Sequence, residues 1–91
     1  MALTKETIVD KIEVMEMGQV QVRTATRVKE DGAVLSSSFH RHVLDPSTKS
    51  GDTWADTDIS GEDARVQAVA NATWTSDVKT AYRTMIDAQA L

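Results

Sequence analysis

The dipeptide Asp31-Gly32, which separates two runs of alternating residues, most strongly constrains the fold of this chain. The runs are QVQVRTATRVKE before the dipeptide and AVLSSSFHRHVL after it. An Asp-Gly pair in this setting favours a type I′ turn, whose backbone twist matches that of the paired strands. We therefore predict a β-hairpin in which Glu30 pairs with Ala33.

A third strand is predicted before this hairpin, in the segment TIVDKIEVME from residue 7 to residue 16. Its apolar residues alternate, which is typical of a half-buried strand. A three-residue loop with Gly18 in the left-handed conformation would place Val14 opposite Val20. A two-residue loop would instead split the apolar residues between the two faces, so we favour the longer one.

The register counted from the two turns gives the predicted sheet one mostly apolar face. Its members are Ile8, Ile12, Val14, Val20, Val22, Val28, Leu35, Phe39 and Val43. The opposite face is polar with apolar islands, and we predict that Arg23, His40 and His42 point outward from it. Two histidines two residues apart on a strand could share a metal ion, but no third ligand is visible, so the pair is interpreted as a surface or interface feature.

The segment 45–60 is predicted to be a long loop, since it contains the only proline, a glycine and four aspartates. Its Trp54 would either fold back as a lid over the sheet or anchor a partner. Asp56 to Gly61 matches the first six positions of a calcium-binding loop, but the twelfth position is Gln67 and lacks the bidentate carboxylate. We interpret this segment as a solvated loop, with calcium binding as the alternative.

A helical region is predicted from residue 61 to residue 88. Ser60 is the expected N-cap, and apolar residues recur at spacings of three and four from Val66 to Ile86. Thr75 and the two residues after it could cap a second helix, so the region is one kinked helix or two short ones. Trp74 lies on the apolar stripe and is expected in the core.

The composition narrows the classes of function. A chain of 91 residues with 41% hydrophobic and 26% charged residues suits one domain, residues 1–91. The net charge is −4 and neither half is basic, so we predict no nucleic-acid or membrane partner. No cysteine is present, which excludes thiolate chemistry and disulfides. No catalytic group of residues is apparent, and we predict no enzymatic activity and no cofactor.

Three short segments resemble a group of small open reading frames among the virion-structure genes of tailed bacteriophages. They are SFHRHV at residues 38–43, SGED followed by VQA at 60–68, and WT, V and AY at 74–82. The resemblance spans roughly residues 20–86. It implies a virion component of the tail, baseplate or fibre-attachment region, made in the host cytoplasm. It implies no catalytic residues.

Together these observations predict an α+β domain, in which a three-stranded antiparallel β-meander (7–44) packs against one kinked helix or two C-terminal helices. The expected partners are other virion proteins, with a homo-oligomer or multiple copies in the assembly. Arg23, His40, His42 and Trp54 are the candidate interface residues. The alternatives are a small intracellular adaptor or regulatory binding protein, and a metal-stabilised domain.

Overall fold

The computed structural model describes residues 2–89 and confirms an α+β fold. Three long strands form an antiparallel meander in which consecutive strands pair, a short hairpin follows, and two helices complete the described residues. The elements are β1 (Leu3–Val14), β2 (Val20–Glu30), β3 (Ala33–Leu44), β4 (Ser47–Ser50), β5 (Thr53–Asp56), α1 (Ala64–Thr73) and α2 (Ser76–Gln89). No helix in the described part of the chain is long and apolar enough to cross a membrane.

Both predicted turns of the meander are confirmed. Val14 pairs with Val20, Met15 and Gln19 close a three-residue loop, and Gly18 has a φ of +88°. Glu30 pairs with Ala33, and the two residues between them have the positive φ values that a type I′ turn requires. The local turn chemistry therefore determines where each strand begins.

The register predicted beyond the second turn is wrong. A bulge leaves Leu35 as an extra residue in β3, so Val28 pairs with Ser36, Ala25 with Phe39 and Val20 with Leu44. Because side chains alternate across a strand, one extra residue moves every later side chain to the other face. His40 and His42 therefore share a face with Val20 and Val22, whereas Phe39, Arg41 and Val43 lie on the opposite face.

A second bulge, at Asp10 in β1, corrects the predicted position of Ile8. Ile12 pairs with Val22 as expected, but Ile8 pairs with Ala25, on the face opposite to Val22. Val9 takes the place that the alternating pattern assigned to Ile8, and it packs against the core. We call the face that carries Val22 the helix face, and the face that carries Ala25 the open face.

The segment 45–60 is not the long loop that its composition predicts, since β4 and β5 form a two-stranded hairpin within it. Gly51 at its turn has a φ of +60°. Pro46 and Ser47 are buried where this hairpin leaves β3, and Arg83 of α2 donates a hydrogen bond to the Ser47 hydroxyl at 2.9 Å. The hairpin is thereby attached to α2.

The helical region consists of two helices, and the predicted N-cap at Ser60 is wrong. Asp63 caps α1 instead, because its carboxylate accepts a hydrogen bond from the Arg65 backbone N–H at 2.9 Å. The Thr75 hydroxyl accepts one from the Val78 backbone N–H at 3.3 Å and so caps α2, as the sequence suggested. The break falls at Trp74, the C-cap of α1.

The hydrophobic core lies at one end of the sheet. Val66, Ala70 and Trp74 of the helical region pack on the helix face against Val20 and Val22. Partly buried residues surround this cluster: Val9, Ile12, Leu44, Ile59, Val69 and Val78. The expected place of Trp74 in the core is therefore confirmed, and Val22 of the predicted apolar face packs in the same cluster, whereas Phe39 of that predicted face lies outside the core.

Candidate protein interface

One half of the sheet extends beyond the core. We call it the projecting half and define it as residues 3–8, 25–30 and 33–39. Within it only Ala25 is buried, and every residue from 31 to 41 is exposed. The molecule measures 58 × 25 × 22 Å, and its radius of gyration is 17.1 Å, against about 12 Å for a compact chain of this length. The strands therefore support an extended surface that the helices do not cover.

The open face carries an apolar row across the sheet, formed by Ile8, Ala25 and Phe39. Ala25 is fully buried, but Phe39 remains 49% exposed. The Arg23 guanidinium lies over the Phe39 ring, 4.6 Å from its centroid. Exposed aromatic and arginine side chains of this kind are enriched in protein interfaces.

The bulge residue Asp10 binds Arg23 through two hydrogen bonds, of 2.9 and 2.8 Å. The Asp10 side chain is only 12% exposed. The hydrogen bond from Arg23 holds the pKa of Asp10 below its usual range, and the same bond raises the pKa of Arg23. The bulge thus places the Asp10 carboxylate next to Arg23, and this ion pair holds the guanidinium over the Phe39 ring.

A second charged group lies further along the open face. The Glu6 carboxylate contacts Lys29 at 2.6 Å and Arg27 at 3.3 Å. The hydrogen bond from Lys29 is the main reason why the pKa of Glu6 is lowered, and the positive charge of Arg27 contributes. The apolar row therefore lies between two groups of paired charges.

The structure separates the candidate interface residues that the sequence assigned to one face. Arg23 lies on the open face, while the rings of His40 and His42 lie on the helix face with centroids 6.2 Å apart. His42 Nε2 is 2.7 Å from Glu62 Oε1, just before α1. Among residues 2–89 no group of three or more His, Cys, Asp or Glu side chains could hold a metal ion.

Trp54 folds back, but against α2 rather than over the sheet. Its ring meets Tyr82 edge-on at 6.2 Å, and Lys49 and Arg83 lie over it at 5.4 and 5.8 Å from the centroid. Lys49 also donates a hydrogen bond to Asp87 at 2.8 Å, which raises the pKa of Lys49 and lowers that of Asp87. The ring remains partly exposed at the helical end of the molecule, away from the projecting half.

In the segment from Asp56 to Gly61, which matches part of a calcium-binding loop, the aspartate carboxylates contact different partners. Asp56 contacts Lys79 at 3.0 Å and Arg83 at 3.6 Å. Asp58 accepts a hydrogen bond from the Ser60 backbone N–H at 2.9 Å, which lowers the pKa of Asp58. The two side chains therefore stabilise the approach to α1 by separate contacts and do not converge on one point.

A pocket of about 190 Å³ lies between the first turn and α2, lined by Glu16, Met17, Asp77, Val78 and Ala81. It is smaller than the sites of roughly 300–1,000 Å³ that enclose small molecules. The projecting half is a much larger feature, and it is the better candidate for function.

Comparison of the chain with protein-family models, curated proteins and solved structures gives no significant match. The sequence pattern gave Arg23 and both histidines as candidates but assigned Phe39 to the core, because the bulge at Leu35, which changes its face, could not be seen in the sequence. The sequence feature that could have indicated this surface is the run from Ala33 to Phe39, which contains no charged residue.

Proposed function

We propose that this chain is a non-enzymatic structural component of a bacteriophage particle, in the tail, baseplate or fibre-attachment region, and that it acts through protein–protein contacts. The observation that carries the proposal is the projecting half of the sheet, which leaves both of its faces open to a partner. The phage context rests on the resemblance of the segments at 38–43, 60–68 and 74–82.

The energetics of the projecting half favour a role in assembly. A sheet is stabilised when at least one face is covered, and large exposed apolar side chains mark surfaces that become buried in a complex. Here Leu3, Val34, Leu35 and Phe39 are all about half exposed or more. An assembly that covers them would gain hydrophobic free energy that the isolated chain does not have.

The contact residues of the proposed interface belong to two sides of the sheet. Arg23 and Phe39 would meet a partner on the open face, and His40 would meet one near the edge of the helix face. Trp54 is at the other end of the molecule and would form a separate contact, with its ring already oriented by Tyr82. A subunit held at both ends suits a connecting position between neighbouring virion proteins.

Cross-linking mass spectrometry on purified particles of the encoding phage tests this proposal. We expect peptides of the chain in the particles, and cross-links from Lys5 and Lys29 of the projecting half to other protein molecules of the virion. Lys79, which contacts Asp56 at the helical end, serves as the internal comparison. Absence of the chain from purified particles would refute the structural role.

The free strand edge also favours a second candidate, a small intracellular adaptor that adds its edge strand to the sheet of another protein. Affinity purification from infected cells separates the two. A stoichiometric complex with one host protein, together with absence from particles, would establish the adaptor in place of the virion component.

A further inference from the structure

We propose that the free edge of β3 pairs with β3 of a second copy of this chain, antiparallel and about a two-fold axis at Ser37, to form a continuous six-stranded sheet. This inference rests on the proposed function, because it names one partner of the same projecting half. Two-fold pairing of identical edges is a common way to close a homodimer.

The two edge strands of the meander differ in whether they can pair with a strand of another molecule. The edge strand β1 carries five charged residues, Lys5, Glu6, Asp10, Lys11 and Glu13, and its bulge lies in the middle of the strand. Charges and bulges on an edge prevent the addition of another strand. In β3, by contrast, no charged residue occurs from Ala33 to Phe39, and the bulge lies near the turn.

The sequence of β3 is close to symmetric about Ser37, which favours a second copy as the occupant. In the run Val34-Leu-Ser-Ser-Ser-Phe39, apolar residues flank three serines. With Ser37 opposite itself, Ser36 pairs with Ser38 and Leu35 with Phe39 of the other copy. Cross-strand pairs of aliphatic and aromatic residues stabilise a sheet, and this pair would form twice.

The charges of β3 are compatible with this register. Arg41, the charged residue of the strand, would lie beyond the Leu35 bulge of the other copy and near its first β3 residues, which are uncharged, so no like charges are opposed. Leu35 is 57% and Phe39 is 49% exposed in the single chain. Pairing would cover both of them and would satisfy the backbone groups at the edge.

The two-fold axis would be perpendicular to the sheet, so the open faces of the two copies would be continuous. The two helical ends would then lie at opposite ends of the dimer. Each projecting half would be flanked by β3 of the other copy, and the apolar rows containing Phe39 would approach each other on one side. This arrangement gives the projecting half a partner without changing the packing around Val22.

Matched charge variants at Ser37 test the pairing. In the dimer Ser37→Lys places two ammonium groups opposite each other, and Ser37→Glu does the same with two carboxylates. We expect each variant to weaken dimerisation by about tenfold in sedimentation equilibrium, because like charges directly opposite each other on paired strands repel. An equimolar mixture of the Ser37→Lys and Ser37→Glu variants should form a heterodimer, because the charges opposite each other then attract.

Thr7→Lys is the control, since Thr7 is an exposed residue on the β1 edge. It should dimerise like the unmodified chain, and far-ultraviolet circular dichroism should show that all variants keep the native secondary structure. An unmodified chain that stays monomeric up to its solubility limit would overturn the inference. A Thr7→Lys variant that is monomeric while both Ser37 variants dimerise would also overturn it.

Disulfide trapping gives an independent measurement, because the chain contains no cysteine. Opposed residues in antiparallel strands have Cα atoms about 4.5–5.5 Å apart, within the range that a disulfide spans. Oxidised Ser37→Cys should therefore form a covalent dimer faster than Thr7→Cys. Equal rates would refute pairing at this position.

The outcomes distinguish this inference from the proposed function. A monomeric chain that is nevertheless present in purified particles would refute the β3 dimer and leave the structural role intact. A dimer trapped through Ser37→Cys, with no copy in particles, would support the pairing and refute the virion role.

Discussion

Gly18 connects the first turn to the helices through its conformation, its lack of a side chain and its carbonyl oxygen. Its φ is +88°, which L side chains rarely adopt. A Cβ at this position would overlap Val78 and lie 3.1 Å from Pro46 Cγ. Its carbonyl accepts a hydrogen bond of 2.6 Å from the indole N–H of Trp74, which is only 8% exposed. The turn and the core are thus in direct contact at one residue.

We expect Gly18→Ala to destabilise the fold. The left-handed conformation costs a side chain about 1–2 kcal/mol, and forcing a methyl group into packed surroundings costs about 1–3 kcal/mol more. Urea denaturation measures the change in the free energy of unfolding. A loss of this size would lower the melting temperature by roughly 4–8 °C per kcal/mol.

Gly32→Ala is the matched control for this substitution. Gly32 has a φ of +86°, but no atom lies within 4 Å of a Cβ at that position. It should therefore show the conformational cost alone. Equal losses in the two variants would contradict the claim that the first turn is packed tightly against α2.

At the level of strands, the two bulges decide which residues face the core. The positions of the bulges could not be derived from the sequence pattern, because apolar residues occur at adjacent positions in these strands and adjacent residues point to opposite faces. Ile8 and Val9 are adjacent, and so are Val43 and Leu44, so either member of each pair could fill the core position. The helix face uses Val9 and Leu44, which only their contacts with the helical residues reveal.

Local signals, in contrast, predicted most of the fold. The Asp31-Gly32 turn, the left-handed Gly18 and the cap at Thr75 depend on neighbouring residues alone, and all are present in the structure. The candidate site was predicted only in part, because the face of His40 and His42 depends on the bulge at Leu35. The hairpin of β4 and β5 was missed because its strands are four residues each and mostly polar.

The ion pair at the β1 bulge makes stability depend on pH. The pKa of Asp10 is lower in the folded chain than its usual value of about 3.9. A carboxylate with a depressed pKa stabilises the fold fully above its unfolded pKa, and this contribution is lost as the pH falls through the folded pKa. We therefore expect Asp10→Asn to reduce stability near pH 7 and to weaken its decline on acidification.

Melting temperatures between pH 7 and strongly acidic conditions measure this effect. Glu16→Gln is the control, since it removes one negative charge from an exposed position in the first turn. Glu6, Asp58 and Asp87 also have lowered pKa values, so acid sensitivity should be reduced in Asp10→Asn and not abolished. Parallel curves for Asp10→Asn and the unmodified chain would contradict the role of the Arg23 pair.

The whole molecule combines a small packed end with a long sheet that extends from it. All members of the core cluster lie near the first turn and the helices, while β2 continues for several residues to Glu30. In the isolated chain the projecting half is held mainly by backbone hydrogen bonds and by the ion pairs of Glu6. Few buried apolar contacts mean a low free energy of local opening.

We therefore expect a gradient of hydrogen exchange along β2. Amides near Val20 and Val22, which are fully buried, should exchange only through global unfolding, whereas those from Val28 to Glu30 should exchange through local opening. Exchange followed by mass spectrometry compares the two ends of one central strand, so the type of strand and its pairing on both sides are matched. Under conditions where the chain is monomeric, uniform protection along β2 would contradict an independently opening projecting half. In the β3-paired dimer the slow region should extend toward Glu30, because opening the projecting half would then also break contacts with the second copy.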